Sequence, residues 1–297
     1  MPTKSSGRVT GQTSLPPALQ AWETYLYDQG RSPNTVKAFL SDVRLLSQFL
    51  PADESVGAVT TRDLDRFFHW MEKERDVPCS PKTLARRITA TKSFFRWLAR
   101  YGALPADPAD KILQRSAVSP LPQVLSEDEV NLALAAADRH RRDSKPDARS
   151  YALLSLLLST GIKKSECLGI HLNHIDLNSP DGPHVFIRYA SPASRYKERK
   201  LELPDDWISA YSEYLEQYKP VDQLFPWSPR RLEYLLEDTG EEAGLQKHLS
   251  FDMCRWTCAL RDFVAGMDPD RVRQRMGVSK IQWREIHLKL RQLAEAA

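Results

Sequence analysis

The residues best equipped for chemistry in this sequence are cations set close together. Arg86, Arg87, Lys92, Arg96 and Arg100 fall within one short stretch, Arg195, Lys197, Arg199 and Lys200 within a second, and Arg271, Arg273, Arg275, Lys280 and Arg284 within a third. Guanidinium and ammonium groups at this density suit phosphate oxygens, the guanidinium donating to two oxygens at once. Any single cluster reads equally well as the solvated face of a helix or hairpin. The net charge of only +3 adds little, so the distribution of charge matters more than its total. Cys254 and Cys258 stand one helical turn apart with His248 nearby, a spacing that could start a metal site. No second pair follows at usable spacing, so two buried thiols are the better reading and no metal is expected. With 12 glycines and no phosphate-cradling Gly-rich loop, neither ATP nor any cofactor is expected.

These groups must be held by a framework, and 297 residues suffice for two ordinary domains. Residues 1–13 are small, polar and weakly basic, and read as a disordered tail rather than a secretory leader. Residues 14–101 carry four apolar stripes at helical spacing: Leu19, Trp22, Tyr25 and Leu26; then Val36 to Leu50 after Ser32-Pro33; then Leu64 to Met71, with Thr61 as cap; then Leu84 to Leu98 after Ser80-Pro81. A compact helical bundle follows. Residues 102–122 contain Pro105, Pro108, Pro120 and Pro122 and read as a linker. Residues 123–297 form the second domain. Ser126-Glu127-Asp128-Glu129 starts a helix, and Tyr151 to Ser159 is a nearly continuous apolar helix that must be core. Val185-Phe186-Ile187 and Leu201-Glu202-Leu203 read as strands joined by the polar stretch Ala190 to Lys200, and helical periodicity returns over Trp207–Tyr218 and Pro229–Ala243. The expected fold class is mainly α with a small β-sheet. The four cysteines show no disulfide framework, which favours a reducing cytoplasm, and no run is long enough to span a bilayer.

Several segments, in order, resemble the tyrosine recombinase and phage integrase family. Thr160-Gly161-Ile162-Lys163-Lys164-Ser165-Glu166 is similar to its Thr-Gly-Leu-Arg segment, and Leu249-Ser250-Phe251-Asp252-Met253-Cys254-Arg255-Trp256 to its Leu-Ser-Pro-His-x-Leu-Arg-His. Ser32 to Asp42 and Phe94 to Leu98 resemble the family's helical core-binding domain, which clamps one side of a DNA duplex. Arg195-Tyr196-Lys197-Glu198-Arg199 resembles Gly-Asn-Lys-Glu-Arg, and Gly277-Val278-Ser279 the Leu-Gly-His-Ser turn. The resemblance covers about Leu15 to Leu293. It implies a nucleophilic tyrosine, two arginines, a hairpin lysine and a histidine that cut a phosphodiester through charge stabilisation and proton donation.

The matching positions have changed. Lys163 stands at the first arginine, keeping charge but losing the fork. Ser194 stands at the lysine, Asp252 at the histidine of His-x-x-Arg, and Val278 at the histidine of the Gly-His turn. Only Arg255 matches in full. The tyrosine position falls on His287, and no tyrosine follows Tyr234 in the sequence. Asp252 would repel a phosphate and could instead pair with Arg255 or Lys163, and Trp256 reads as a donor or a packed aromatic. Lys197 or Arg195 could reach into the site or only line the DNA.

The implied function is a DNA-binding family member without strand cleavage, an accessory or regulatory factor in site-specific recombination or integration. It would act on duplex DNA in the cytoplasm, associated with the nucleoid, and without a membrane. An active recombinase partner or a second copy would join it through the C-terminal segment. The DNA contacts expected are Arg86, Arg87, Lys92, Arg96, Lys163, Arg195, Lys197, Arg199 and Arg255. Two alternatives stand beside this: an active recombinase using a non-standard nucleophile or a tyrosine from a partner subunit, and a protein-interaction scaffold that has lost DNA binding.

Overall fold

A computed structural model describes residues 9–115 and 119–296 of the chain. They fall into two compact units, one up to Pro120 and one from Leu121.

The first unit is the expected bundle: α1 (Leu15–Asp28), α2 (Pro33–Phe49), α3 (Thr61–His69), continued by a π turn over Trp70–Glu74, and α4 (Pro81–Arg100). Ser32 and Ser80 each accept from the backbone N–H three residues on, with proline at the first helical position. The cap of α3 is Thr60, not Thr61. Thr60 and Asp63 form a reciprocal box, while the Thr61 hydroxyl donates to Pro108 O at 2.7 Å. The apolar stripes meet around Trp22, Phe67, Phe94 and Phe95.

Two expectations at the edges of this unit change. Of the expected tail, residues 1–8 lie outside the described residues, but residues 9–13 are built into the fold. Gly57 N–H donates to Gly11 O and Val56 N–H to Thr13 O, both at 2.8 Å, and Val9 packs on the core. Small residues there allow close backbone approach: a Cβ on Gly57 would lie 2.6 Å from Gly11 O. Of the expected linker, residues 116–118 lie outside the described residues. Its first half is packed down, with Leu104, Ala109 and Ile112 buried in the first core.

The second unit is organised on α6 (Arg149–Thr160), almost wholly buried and surrounded by α5 (Glu127–Arg141), α8 (Asp205–Tyr218), α9 (Pro229–Glu242) and α10 (Phe251–Val264). The helix ends at Gly161, whose φ of 60° lets the chain reverse into the short α7 (Lys164–Leu168). A three-stranded antiparallel sheet follows: β1 (Ile175–Asp176), β2 (His184–Ile187) and β3 (Arg199–Glu202). The last strand begins two residues before the expected Leu201 because Arg199 pairs with Ile187. The polar stretch between β2 and β3 contains a 3₁₀ turn over Pro192–Lys197. The chain closes with α11 (Pro269–Arg275) and α12 (Lys280–Ala296), which pack with the later half of α10 around Val272, Met276, Val278 and Leu290. Among the described residues, no helix is long and apolar enough to cross a membrane.

Candidate functional site

The second unit brings Lys163, Glu166, Arg199 and Arg255 together, although they come from α7 and its approach, β3 and α10. Glu166 is the hub. Its side chain is 1% exposed and accepts two bonds from Arg199, at 2.9 and 3.0 Å. It also accepts from the Lys163 backbone N–H at 2.8 Å and from the Tyr189 hydroxyl, with the Lys163 ammonium 3.8 Å away. Burial opposes its charge, but these donors outweigh burial and hold the carboxyl down at about 2.

The cations around this hub point at main-chain oxygens. Arg199 Nε donates to Arg275 O at 2.6 Å, Arg255 Nη2 to Met276 O at 2.6 Å, and Lys163 Nζ to Gly277 O at 2.9 Å. Three consecutive carbonyls thus take one bond each from three different side chains. They are the carbonyls left open where α11 ends, at the negative end of its peptide dipoles. Arg255 also donates to Gly161 O at 2.7 Å, tying the end of α6 to α10. Gly277 has φ 58°, and a Cβ there would lie 2.5 Å from Arg199 Nη1, so only glycine brings this turn so close to the guanidinium. Burial and the nearby charges of Arg255, Lys197 and Arg199 bring the Lys163 ammonium down to about 8, against the opposite pull of Glu166. Burial likewise lowers Arg255.

Lys163 and Arg255 also border a cavity of about 760 Å³ whose wall includes Lys164, Arg230, Tyr234, His248 and Asp252. Asp252 is exposed there. No hydrogen bond or ion pair joins it to Arg255 or Lys163, because both have taken carbonyl partners, although its charge acts on Arg255. Trp256 is half-buried against the third core cluster, the packed reading, and Val278 is buried in the same cluster.

His287 is elsewhere. Its ring stacks on Trp283 at 5.4 Å and meets Phe263 edge-on at 5.6 Å. Phe263 lies eight residues along α10 from Arg255, about 12 Å by helical rise. Ser194, Arg195 and Lys197 sit on the 3₁₀ turn, Arg195 exposed and the other two half-buried.

In the first unit, Arg86 and Arg87 both approach the buried Asp42, at 3.0 and 3.5 Å, and Arg87 is largely buried. Lys92 donates to the carbonyls of Asp110 and Ile112. Arg96 and Arg100 are exposed. Sequence reasoning missed Tyr189, whose position after β2 carries no signal. It also missed Arg230 and Tyr234, which lie on one face of α9 with the Arg230 Nε 2.6 Å from the Tyr234 hydroxyl.

Both units match known domain families. Residues 123–290 match the phage integrase family, and residues 19–102 match the N-terminal SAM-like domain of phage integrases. The chain belongs to the phage integrase family. Within that family, it is similar to the tyrosine recombinase XerC of Corynebacterium efficiens, 28% identical over 284 residues that cover 90% of this chain and 85% of that protein. XerC of Mycobacterium tuberculosis is 37% identical over 162 residues, 53% of either chain. The chain spans about half the length of the mycobacterial relatives it matches. Among solved structures, XerH recombinase bound to a palindromic difH substrate shares the fold, with a TM-score of 0.71, 20% identity and coverage of 88% of this chain and 78% of that one. So does a lambda integrase dimer bound to a COC′ core site, with a TM-score of 0.69, 12% identity and coverage of 92% and 77%. Both units thus match integrase-family domains, while the cationic centre of the second is turned toward the protein's own carbonyls.

Proposed function

We propose that this protein binds duplex DNA as an integrase-family accessory or regulatory factor and does not cleave it by itself. The observation that carries this reading is the engagement of Arg199, Arg255 and Lys163 by the carbonyls of residues 275 to 277. Groups that must stabilise a phosphoryl transition state need free donors aimed at its oxygens, and here the donors are used to hold α11 in place. Asp252 adds a negative charge at the cavity wall, Val278 offers no proton, and His287 is stacked on Trp283 and edge-on to Phe263. Support for DNA binding comes from the family, from the DNA-bound relatives and from exposed cations such as Arg96, Arg100 and Arg195. Those cations would act through phosphate contacts and counterion release. An active recombinase or a second copy is the partner this role calls for.

A second reading, cleavage by a displaced nucleophile, draws on Tyr234. Tyr234 lines the same cavity as Lys163 and Arg255, and its hydroxyl takes a hydrogen bond from Arg230.

The test is to recover DNA bound by the protein from fragmented genomic DNA, sequence it, and present the enriched site as a nicked suicide duplex. Salt-sensitive binding with no covalent adduct is expected. An adduct lost in Tyr234→Phe would establish the second reading, and one lost in His287→Phe would restore the histidine nucleophile. Absence of binding to every duplex at low salt would leave the scaffold reading in place.

A further inference from the structure

Tyr196 is absorbed by neither reading above, and its setting is unusual. It stands on the 3₁₀ turn over Pro192–Lys197 with 65% of its surface exposed. A lone exposed apolar side chain needs no explanation. This one is flanked on both sides by cations, Arg195 exposed and Lys197 with its ammonium 5.2 Å from the ring centroid. The rest of the turn, Ser191, Pro192, Ala193 and Ser194, is small, and among the described residues the ring's one neighbouring cation in contact is Lys197 over one face.

The turn is also firmly held. Ser194 N–H donates to Ser191 O and Glu198 N–H to Arg195 O, both at 2.9 Å. Glu198 Oε1 accepts from Tyr189 N–H at 2.9 Å, and the next residue, Arg199, is clamped on Glu166. The backbone that carries the ring is therefore hydrogen-bonded within the turn and just after it. Its neighbour Lys197 is close enough to Lys163 to lower that ammonium through charge repulsion.

We infer that Tyr196 is a stacking contact for a nucleobase of bound DNA at an unstacked step, with Arg195 and Lys197 on the adjoining phosphates. The inference rests on the DNA-binding reading above. An aromatic face between two cations is complementary to a base between two phosphates: the ring stacks on any base's π-face, and the cations meet the backbone. Side chains that enter between base steps do so where the duplex is kinked or interrupted. The ligand class is thus duplex DNA carrying a locally exposed base.

The test uses the full chain and two labelled duplexes of one sequence, one intact and one with a single-nucleotide gap, with 2-aminopurine beside the gap. Tyr196→Ala should weaken binding to the gapped duplex about fivefold to about a hundredfold, the range that loss of one base stack gives, and should leave the salt dependence unchanged. Tyr196→Phe should bind as the parent protein does. Lys197→Ala should instead reduce the salt slope by about one. The parent protein and Tyr196→Phe should change the 2-aminopurine fluorescence, and Tyr196→Ala should not. Equal binding of the gapped duplex by Tyr196→Ala and parent, or a fluorescence change retained in Tyr196→Ala, overturns this inference and leaves DNA binding intact. Unchanged DNA affinity with altered self-association in Tyr196→Ala overturns it in favour of a protein contact. Failure of the parent protein to bind either duplex overturns both.

Discussion

Replacing Glu166 by Gln removes one charge from the centre of the second unit without changing its shape. In the parent protein this carboxylate faces Arg199 at 2.9 and 3.0 Å, with the Tyr189 hydroxyl and the Lys163 backbone N–H on its remaining lone pairs. Two routes give the size of the effect. Breaking a buried ion pair on one side leaves an uncompensated charge and costs about 3–5 kcal/mol. Independently, the Glu166 carboxyl is held at about 2 against an ordinary 4.5, and that difference corresponds to about 3 kcal/mol. The sign follows from the depressed value. The unfolded chain binds the proton more tightly, so the stabilisation is fully present above pH 4.5 and is lost as pH falls toward 2. Urea unfolding at neutral pH should therefore show Glu166→Gln less stable by about 3 kcal/mol. The gap between the two proteins should narrow as pH drops through the acid window, as far as both stay folded. A loss below about 1 kcal/mol at neutral pH, or two stability profiles running parallel through the acid window, would refute the hub role of Glu166.

Three further outcomes follow from the same geometry. Arg255→Ala leaves the carbonyls of Gly161 and Met276 without their donor, and should cost about 2–5 kcal/mol in denaturant unfolding, so its DNA affinity is to be read well below its melting temperature. Gly277→Ala forces a side chain into a φ of 58° and against Arg199, and should lower stability by about 1–2 kcal/mol or more, seen as a reduced melting temperature. The Lys163 ammonium loses its proton as pH rises through about 8 while the unfolded lysine holds its proton up to 10.5, so urea unfolding should show the parent protein gaining stability as pH rises from about 8 toward 10.5, a gain absent in Lys163→Arg.

The helices were legible because their signals are local. Ser32-Pro33, Ser80-Pro81 and the Ser126–Glu129 box each cap a helix within four residues, and the apolar stripes need only the helical period. The convergence of Lys163, Glu166 and Arg255 was legible through resemblance, since family motifs encode long-range proximity that periodicity does not. What those cations bind was not legible. Their acceptors are backbone carbonyls of residues 275 to 277, identical in chemistry to every other carbonyl in the chain. The partners of the basic stretch of α4 were hidden for the same reason. Asp42 and the carbonyls of Asp110 and Ile112 lie far from it in sequence, yet they engage Arg87 and Lys92. Arg199, expected along the DNA, is drawn inward by Glu166.

The four cysteines give the molecule a native set of chemical timers. Cys79 lies half-buried in the first unit, whereas Cys167, Cys254 and Cys258 are buried in the second. Burial pushes the Cys254 thiol up to about 12 and the Cys258 thiol up to about 11, and raises Cys167 as well, so none of these three supplies thiolate until its surroundings open. Alkylation followed residue by residue would then record the opening of each half of the protein on its own clock, with no label introduced and no residue changed.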